Sequence, residues 1–313
     1  MSRKQIVISV ERDTNTSHPR EDFYQLGTMY TWHRRYTLGG KDGFNNQTRL
    51  DEDDTQEWLF ENIYLSSKGP RLPEHLQGFE FYYGDLKYYL SDAEYREMDR
   101  LKALSEVCDL PADFQDRYDE LYTWNQDEEA SPELEAEFRA AFAQWVTDNV
   151  CIKDLYLYDH SGISISCSPF SCRFDSGAVG FIYLTREKCE ENGVDFAEAD
   201  LILEGEVKTL DHYFTGDVWG FNSGAMEEYV ETDVTPQYID DNVEIYLFTG
   251  CETVPDEFDG FEYGADSDSC GGFYGEDYMM EHIANEVIPY YVRQEEKRVA
   301  AEAEKRRRMY WCM

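Results

Sequence analysis

Ile6, Ile8 and Val10 fall at every second position of Gln5-Ile6-Val7-Ile8-Ser9-Val10, a short alternating pattern that predicts a first strand near the start of the chain. Leu26 to Tyr36 is rich in strand formers, and Gly39-Gly40 with Asp42-Gly43 predicts a loop after it. Gln56 to Tyr64 reads as a short amphipathic piece. From about residue 85 the period lengthens to that of helices. Ser91-Asp92-Ala93-Glu94 has the form of a capping box, in which the serine hydroxyl accepts from the third helical N–H and the glutamate reaches back. It predicts a helix ending near Cys108, before Pro111. A second helix is expected over 112–124. A third is expected from Ser131-Pro132, where proline's missing N–H does no harm at the first helical position. Leu134, Phe138, Phe142 and Trp145 recur at helical spacing and are expected to face a core.

Strand patterns return in Tyr156-Leu157-Tyr158, Ile163-Ser164-Ile165 and Val179 to Leu184. Thr185 predicts the cap of a short helix, and a longer helix is expected over 196–213, ending at Thr215-Gly216. Further strands are expected at Val218–Phe221 and Val243–Phe248. A Gly/Asp-rich loop over 256–275 leads to a last helix over 276–308, kinked at Pro289. The class is therefore α+β. A mixed or antiparallel sheet core is expected from residues 1–67 plus 150–275, with a mainly helical insertion at 68–149 and a long C-terminal helix at 276–313.

Charge changes the picture more than composition does. The 313 residues hold 66 Asp and Glu against 28 Lys and Arg, a formal net charge of −38. The ends are slightly basic and the body between them is strongly acidic; from Asp200 to Val292 the only basic residue is Lys208. Such a body repels phosphates and anionic lipid surfaces, which argues against direct nucleic-acid or membrane binding. Disordered acidic tracts lack aromatic residues, whereas here Phe, Trp and Tyr make up 15% of the chain, so a folded core is expected. No apolar run approaches a membrane span, and the first residues read as a strand rather than a signal peptide. The eight cysteines are scattered with no Cys-x-x-Cys pair. The expectation is a reduced, cytoplasmic protein without a cofactor.

Several clusters invite a chemical reading. Asp159, His160, Ser161, Cys167, Cys172 and Asp175 lie close in sequence. One alternative is a hydrolase or metal-dependent enzyme centred on Asp159, His160 and Cys172, with His160 as the base for a serine or thiol nucleophile. Zinc held by His160, Cys167 and Cys172 is a variant, although the paired second half of a structural zinc site is missing. The opposing view is that Asp-His-Ser-Gly, Ser-Pro-Phe and Asp-Ser-Gly merely shape turns. The loop carrying Asp256, Glu257, Asp259, Glu262, Asp266, Asp268, Glu276 and Asp277 lacks the spacing of a calcium loop. Those eight carboxylates are the candidate partner-binding set. His33-Arg34-Arg35 is a basic cluster that could neutralise the acidic body from within or present a positive patch to a partner, internal pairing being the favoured reading. After Lys305-Arg306-Arg307-Arg308 the residues Tyr310, Trp311 and Cys312 form an apolar end, the candidate contact of a homo-oligomer.

Motifs at both ends of the core add a resemblance. His18-Pro-Arg-Glu21, Leu26-Gly-Thr-Met29, Leu155-Tyr-Leu-Tyr-Asp-His-Ser-Gly-Ile163, Ser168-Pro-Phe-Ser-Cys172, Asp175-Ser-Gly177, Val179-Gly-Phe-Ile-Tyr183 and Thr215-Gly-Asp217 are similar to segments of a family of acidic proteins carried by phages and other mobile elements. The similarity skips most of 45–150. Within that group the chain resembles phage anti-defence proteins of the type that inhibits the Gabija nuclease–helicase complex. The resemblance implies a non-enzymatic inhibitor in the host bacterial cytoplasm. It would bind a basic, DNA-acting defence complex and block DNA binding or cleavage, with no catalytic residue to carry over. The acidic surface would then act as a DNA mimic or as a protein-specific clamp. A virion or assembly protein, with acidity serving solubility, is a further alternative.

Overall fold

A computed structural model describes residues 3–82, 85–172, 174–249, 254–258 and 268–311. Its strands are β1 (Lys4–Arg12), β2 (Thr28–Thr31), β3 (Phe79–Tyr82), β4 (Asp85–Tyr88), β5 (Val150–Asp159), β6 (Ile163–Ser166), β7 (Ser176–Thr185), β8 (Val218–Ala225), β9 (Tyr238–Ile239), β10 (Val243–Thr249) and β11 (Asp268–Tyr274). Its helices are α1 (Pro19–Asp22), α2 (Glu52–Leu59), α3 (Asp92–Ser105), α4 (Ala112–Asp127), α5 (Pro132–Asn149), α6 (Arg186–Glu191), α7 (Ala199–Thr215), α8 (Glu276–His282) and α9 (Ile288–Trp311). The fold is α+β, as the hydrophobic pattern predicts. The chain divides into two compact units, one of residues 1–25, 156–178 and 204–313 and the other of 26–155 and 179–203. The division passes through β5, β7 and α7.

The first unit is built on a five-stranded mixed sheet in the order β11-β8-β1-β10-β9. Central β1 runs parallel to β10 and antiparallel to β8. Its side chains alternate between faces with the period of two that strands impose. Ile6, Ile8 and Val10 join Phe221, Ile245 and the helix residues Met279, Ile283, Val287 and Tyr291 in one cluster. Val7 joins Tyr246, Phe248 and Phe258 in another. Being covered on both faces explains why Ile6, Val7 and Ile8 are apolar in succession. Gln5 is its buried exception: its amide donates to the Val230 carbonyl at 2.8 Å and accepts from the Val230 N–H at 2.7 Å. Every hydrogen-bonding group placed in the interior needs such a partner.

The expected long C-terminal helix forms, with a wide turn inside it. α8 passes through a wide π turn at Ile283–Val287 before α9 begins. Pro289 lies just beyond; its ring clashes with the carbonyl four residues back, and the wider turn relieves that clash. Tyr291 and Glu295 are the buried residues of α9. Farther along, the helix carries Arg298 paired with Glu295 and Glu302, and Arg308 paired with Glu304.

The second unit has an aromatic core. Tyr30, Phe60, Tyr64, Phe79, Tyr88, Phe138, Phe142, Trp145 and Phe181 are buried in one cluster. Phe138, Phe142 and Trp145 are the expected buried stripe of α5, with Leu134 partly buried beside them. Trp145 Nε1 donates to the Pro70 carbonyl at 2.7 Å, so its polar tip is satisfied. β2 pairs antiparallel with β7, and β3 with β4 in a hairpin that lies within the stretch expected to be mainly helical. The caps form as their residue types require: Ser91 and Glu94 close a capping box, Ser131 accepts from Leu134 N–H, and Thr185 accepts from Lys188 N–H. α3 ends three residues earlier than expected and α4 runs three residues longer.

Candidate functional site

The candidate enzyme residues sit at the tips of β5, β6 and β7 in the first unit. Ser161 adopts φ +54° in the tight turn after β5, and His160 N–H donates to the Gly162 carbonyl at 3.0 Å. The Asp159 N–H donates to the Asp175 carbonyl at 2.8 Å, which brings the two tips together. His160 Nδ1 then lies 3.3 Å from Asp175 Oδ2, and Cys172 Sγ lies 3.9 Å from the same oxygen. The imidazole stacks near Tyr158, whose ring also meets Phe170.

So His160, Cys172 and Asp175 do converge, but with the roles of a hydrolase out of place. A thiol nucleophile needs the imidazole as its proton acceptor. Here the thiol faces the Asp175 carboxylate instead of the imidazole. The His160 side chain is 64% exposed, so water is not excluded from it. Among the described residues no group of three or more His, Cys, Asp or Glu is arranged to hold a metal ion. The arrangement suits a turn closed by the contact between the His160 ring and the Asp175 carboxylate.

A second histidine–aspartate pair, not anticipated, sits where α7 meets β8. Gly216, at φ +69°, ends α7 in the left-handed conformation that glycine adopts without strain. The Asp217 N–H donates back to the His212 carbonyl at 2.8 Å, and the Gly216 N–H to the Tyr213 carbonyl. This Schellman turn folds the Asp217 carboxylate over the helix end. His212 Nδ1 lies 2.7 Å from Oδ2, and Trp219 Nε1 donates to Oδ1 at 2.6 Å. Partial burial pushes the Asp217 carboxyl pKa up. The Trp219 and His212 hydrogen bonds and the charges of His212 and Arg12 outweigh burial and hold it below the usual range. Nε2 of His212 turns toward Gly275, where a Cβ would stand 3.0 Å away. With backbone rather than a hydroxyl or thiol before it, this pair braces a corner. The sequence signal was present in Thr215-Gly216-Asp217, a helix stop followed by an acid.

The His18-Pro19-Arg20-Glu21 motif also turns inward. His18 Nδ1 accepts from the Arg20 N–H and caps α1, with Pro19 at its first position. The Arg20 side chain is 2% exposed and its NH1 meets Glu206 Oε2 of α7 at 3.1 Å. Burial holds the His18 pKa below its ordinary value.

Of the candidate partner-binding carboxylates, Asp256 lies exposed in a short 3-10 turn that also includes Glu257. Asp259, Glu262 and Asp266 lie outside the described residues. Asp268 opens β11, which the sequence pattern assigned to a loop. It is the outermost strand of its sheet, with a register shift between Cys270 and Phe273. Exposed Glu276 and Asp277 occupy the first turn of α8, where the helix dipole favours negative charge. Tyr310 and Trp311 end α9, and Cys312 lies outside the described residues.

Exposed aromatic rings recur next to exposed carboxylates in this unit. Asp22 precedes Phe23 and Tyr24, which are 47% and 71% exposed. Glu227 and Glu228 precede Tyr229 at 57%, and Glu276 and Asp277 precede Tyr278 at 63%. No family model, curated protein or solved structure matches the chain. No helix among the described residues is long and apolar enough to cross a membrane.

Proposed function

We propose that this protein acts by occupancy rather than by chemistry, binding a basic protein surface through its acidic exterior. The observation that carries the reading is the pairing of exposed aromatic rings with exposed carboxylates at Phe23, Tyr229 and Tyr278. The few residues that dominate binding at protein interfaces are enriched in tyrosine, tryptophan and arginine, while flanking charge steers encounter and excludes partners of like sign. A chain that needed acidity only for solubility would gain nothing from leaving those rings in water.

The resemblance to phage anti-defence proteins supports one kind of partner. In this reading the protein works in the bacterial cytoplasm, binds a DNA-acting nuclease or helicase of a defence complex, and competes for the basic channel that DNA would enter. Co-purification from an expressing bacterial host, followed by DNA-cleavage assays on what is recovered, tests it. Recovery of a nuclease or helicase whose cleavage rate falls as this protein is added, and rises again with salt, supports the reading. Recovery of no DNA-acting partner refutes it.

A further inference from the structure

We propose that the face of α4 carrying Phe114, Tyr118 and Tyr122 is a docking surface for a protein segment that presents lysine or arginine around an apolar centre. The proposal rests on the functional reading above and gives that reading a place in the second unit. The three rings are spaced i, i+4 and i+8, so they form one ridge along the helix, about 12 Å from end to end at 1.5 Å per residue. Phe114 and Tyr122 are each 50% exposed. The Tyr118 and Tyr122 rings lie 6.0 Å apart, and Tyr118 is partly buried at the edge of the aromatic core. The helix does not depend on the two outer rings for its own packing, because Leu121 and Trp124 are its buried residues. Val107, in the connection between α3 and α4, adds apolar surface at 78% exposure.

The charge around the ridge selects its occupant. Residues 92–127, from α3 to the end of α4, hold 11 acidic and four basic side chains. Among the described residues Asp113 and Asp116 make no ion pair, and Asp119 accepts a hydrogen bond from Gln115 at 2.8 Å. Arg117, the only cation of α4, is already engaged by Glu94, Glu97 and Glu120. Carboxylates without counter-ions repel a phosphate backbone, an anionic lipid surface and the same face of another copy. A basic protein segment relieves them while its apolar centre covers the rings, which is the arrangement of an anchored interface with a charged rim.

Two synthetic peptides test this, one with arginines around a leucine face and one of equal charge with serine in place of leucine, titrated at about 0.15 M ionic strength. Wild type is expected to bind the leucine peptide about tenfold more tightly than the serine peptide. F114A/Y122A is expected to erase that difference while keeping the circular dichroism of the wild type. Equal binding of the two peptides by wild type, or a difference that survives in F114A/Y122A, overturns the proposal. Self-association of wild type that disappears in F114A/Y122A also overturns it, because a second copy would then be the occupant. Host co-purification with both proteins separates this inference from the reading it rests on. A DNA-acting partner recovered equally by wild type and F114A/Y122A refutes the ridge and leaves the reading standing. No such partner with wild type, alongside the expected peptide result, refutes the reading and leaves the ridge.

Discussion

Removing the guanidinium of Arg20 is expected to unsettle the first unit more than any surface substitution. Its side chain is 2% exposed, and Glu206, which it meets at 3.1 Å, is 11% exposed. Arg20→Ala takes this ion pair away from a carboxylate where water barely reaches, and breaking a buried pair from one side costs about 3–5 kcal/mol. For a unit of about 160 residues each kcal/mol moves the midpoint by roughly 2–4 °C, so a fall of about 6–20 °C is expected. Replacing both partners with apolar residues removes the charge instead of abandoning it, and Arg20→Met with Glu206→Leu is expected to return to within about 1 kcal/mol of wild type or better. Two compact units need not melt together, so the assay is hydrogen exchange in denaturant of the α7 amides from Glu204 to Thr215, which belong to this unit. An R20A protein whose α7 amides exchange as in wild type would sink the reasoning. So would a double variant as unstable as the single one.

Gly180→Ala places a Cβ 2.0 Å from the Tyr30 carbonyl oxygen, so it is expected to force β2 from β7 and cost at least about 2 kcal/mol, read as a lowered urea midpoint. Asp217→Asn tests the α7–β8 corner through pH. A carboxyl whose folded pKa is depressed contributes stability above its unfolded value of about 4 and loses it as pH falls through the folded value. The gap between wild type and D217N is therefore expected to be full at pH 7 and to close on acidification; a gap that widens in acid contradicts the assignment. Ser91→Ala removes one side of the capping box and is expected to cost about 1 kcal/mol, measured as faster exchange in the first turn of α3.

What the sequence made legible was local. The starts of α3, α5 and α6 follow from a side-chain oxygen placed three residues before an N–H, and the buried stripe of α5 from a 3.6-residue period. β11 was not legible, because Asp-Ser-Cys-Gly-Gly has the composition of a loop and becomes a strand only through pairing with β8, about 45 residues away. The Arg20–Glu206 pair joins residues 186 apart in sequence, and no spacing rule reaches that far. At the candidate site, the nearness of His160 and Asp175 was readable, but which of them the Cys172 thiol faces depended on how the two strand tips meet. The exposed rings on α4 were invisible for a different reason: i, i+4 aromatic spacing looks the same whether it faces a core or water.

α9 has a thermodynamic consequence of its own. Tyr291 and Glu295 are its buried residues, and the described turns beyond them bury no side chain. Helix nucleation has already been met by the packed end, so each outer turn adds only its propagation term and the charge pairs of Arg298 and Arg308. Those pairs weaken as salt rises. The length of rod that remains helical is therefore set by the ionic strength of the surroundings and fades turn by turn, without touching the cooperative unfolding of the sheet beneath it.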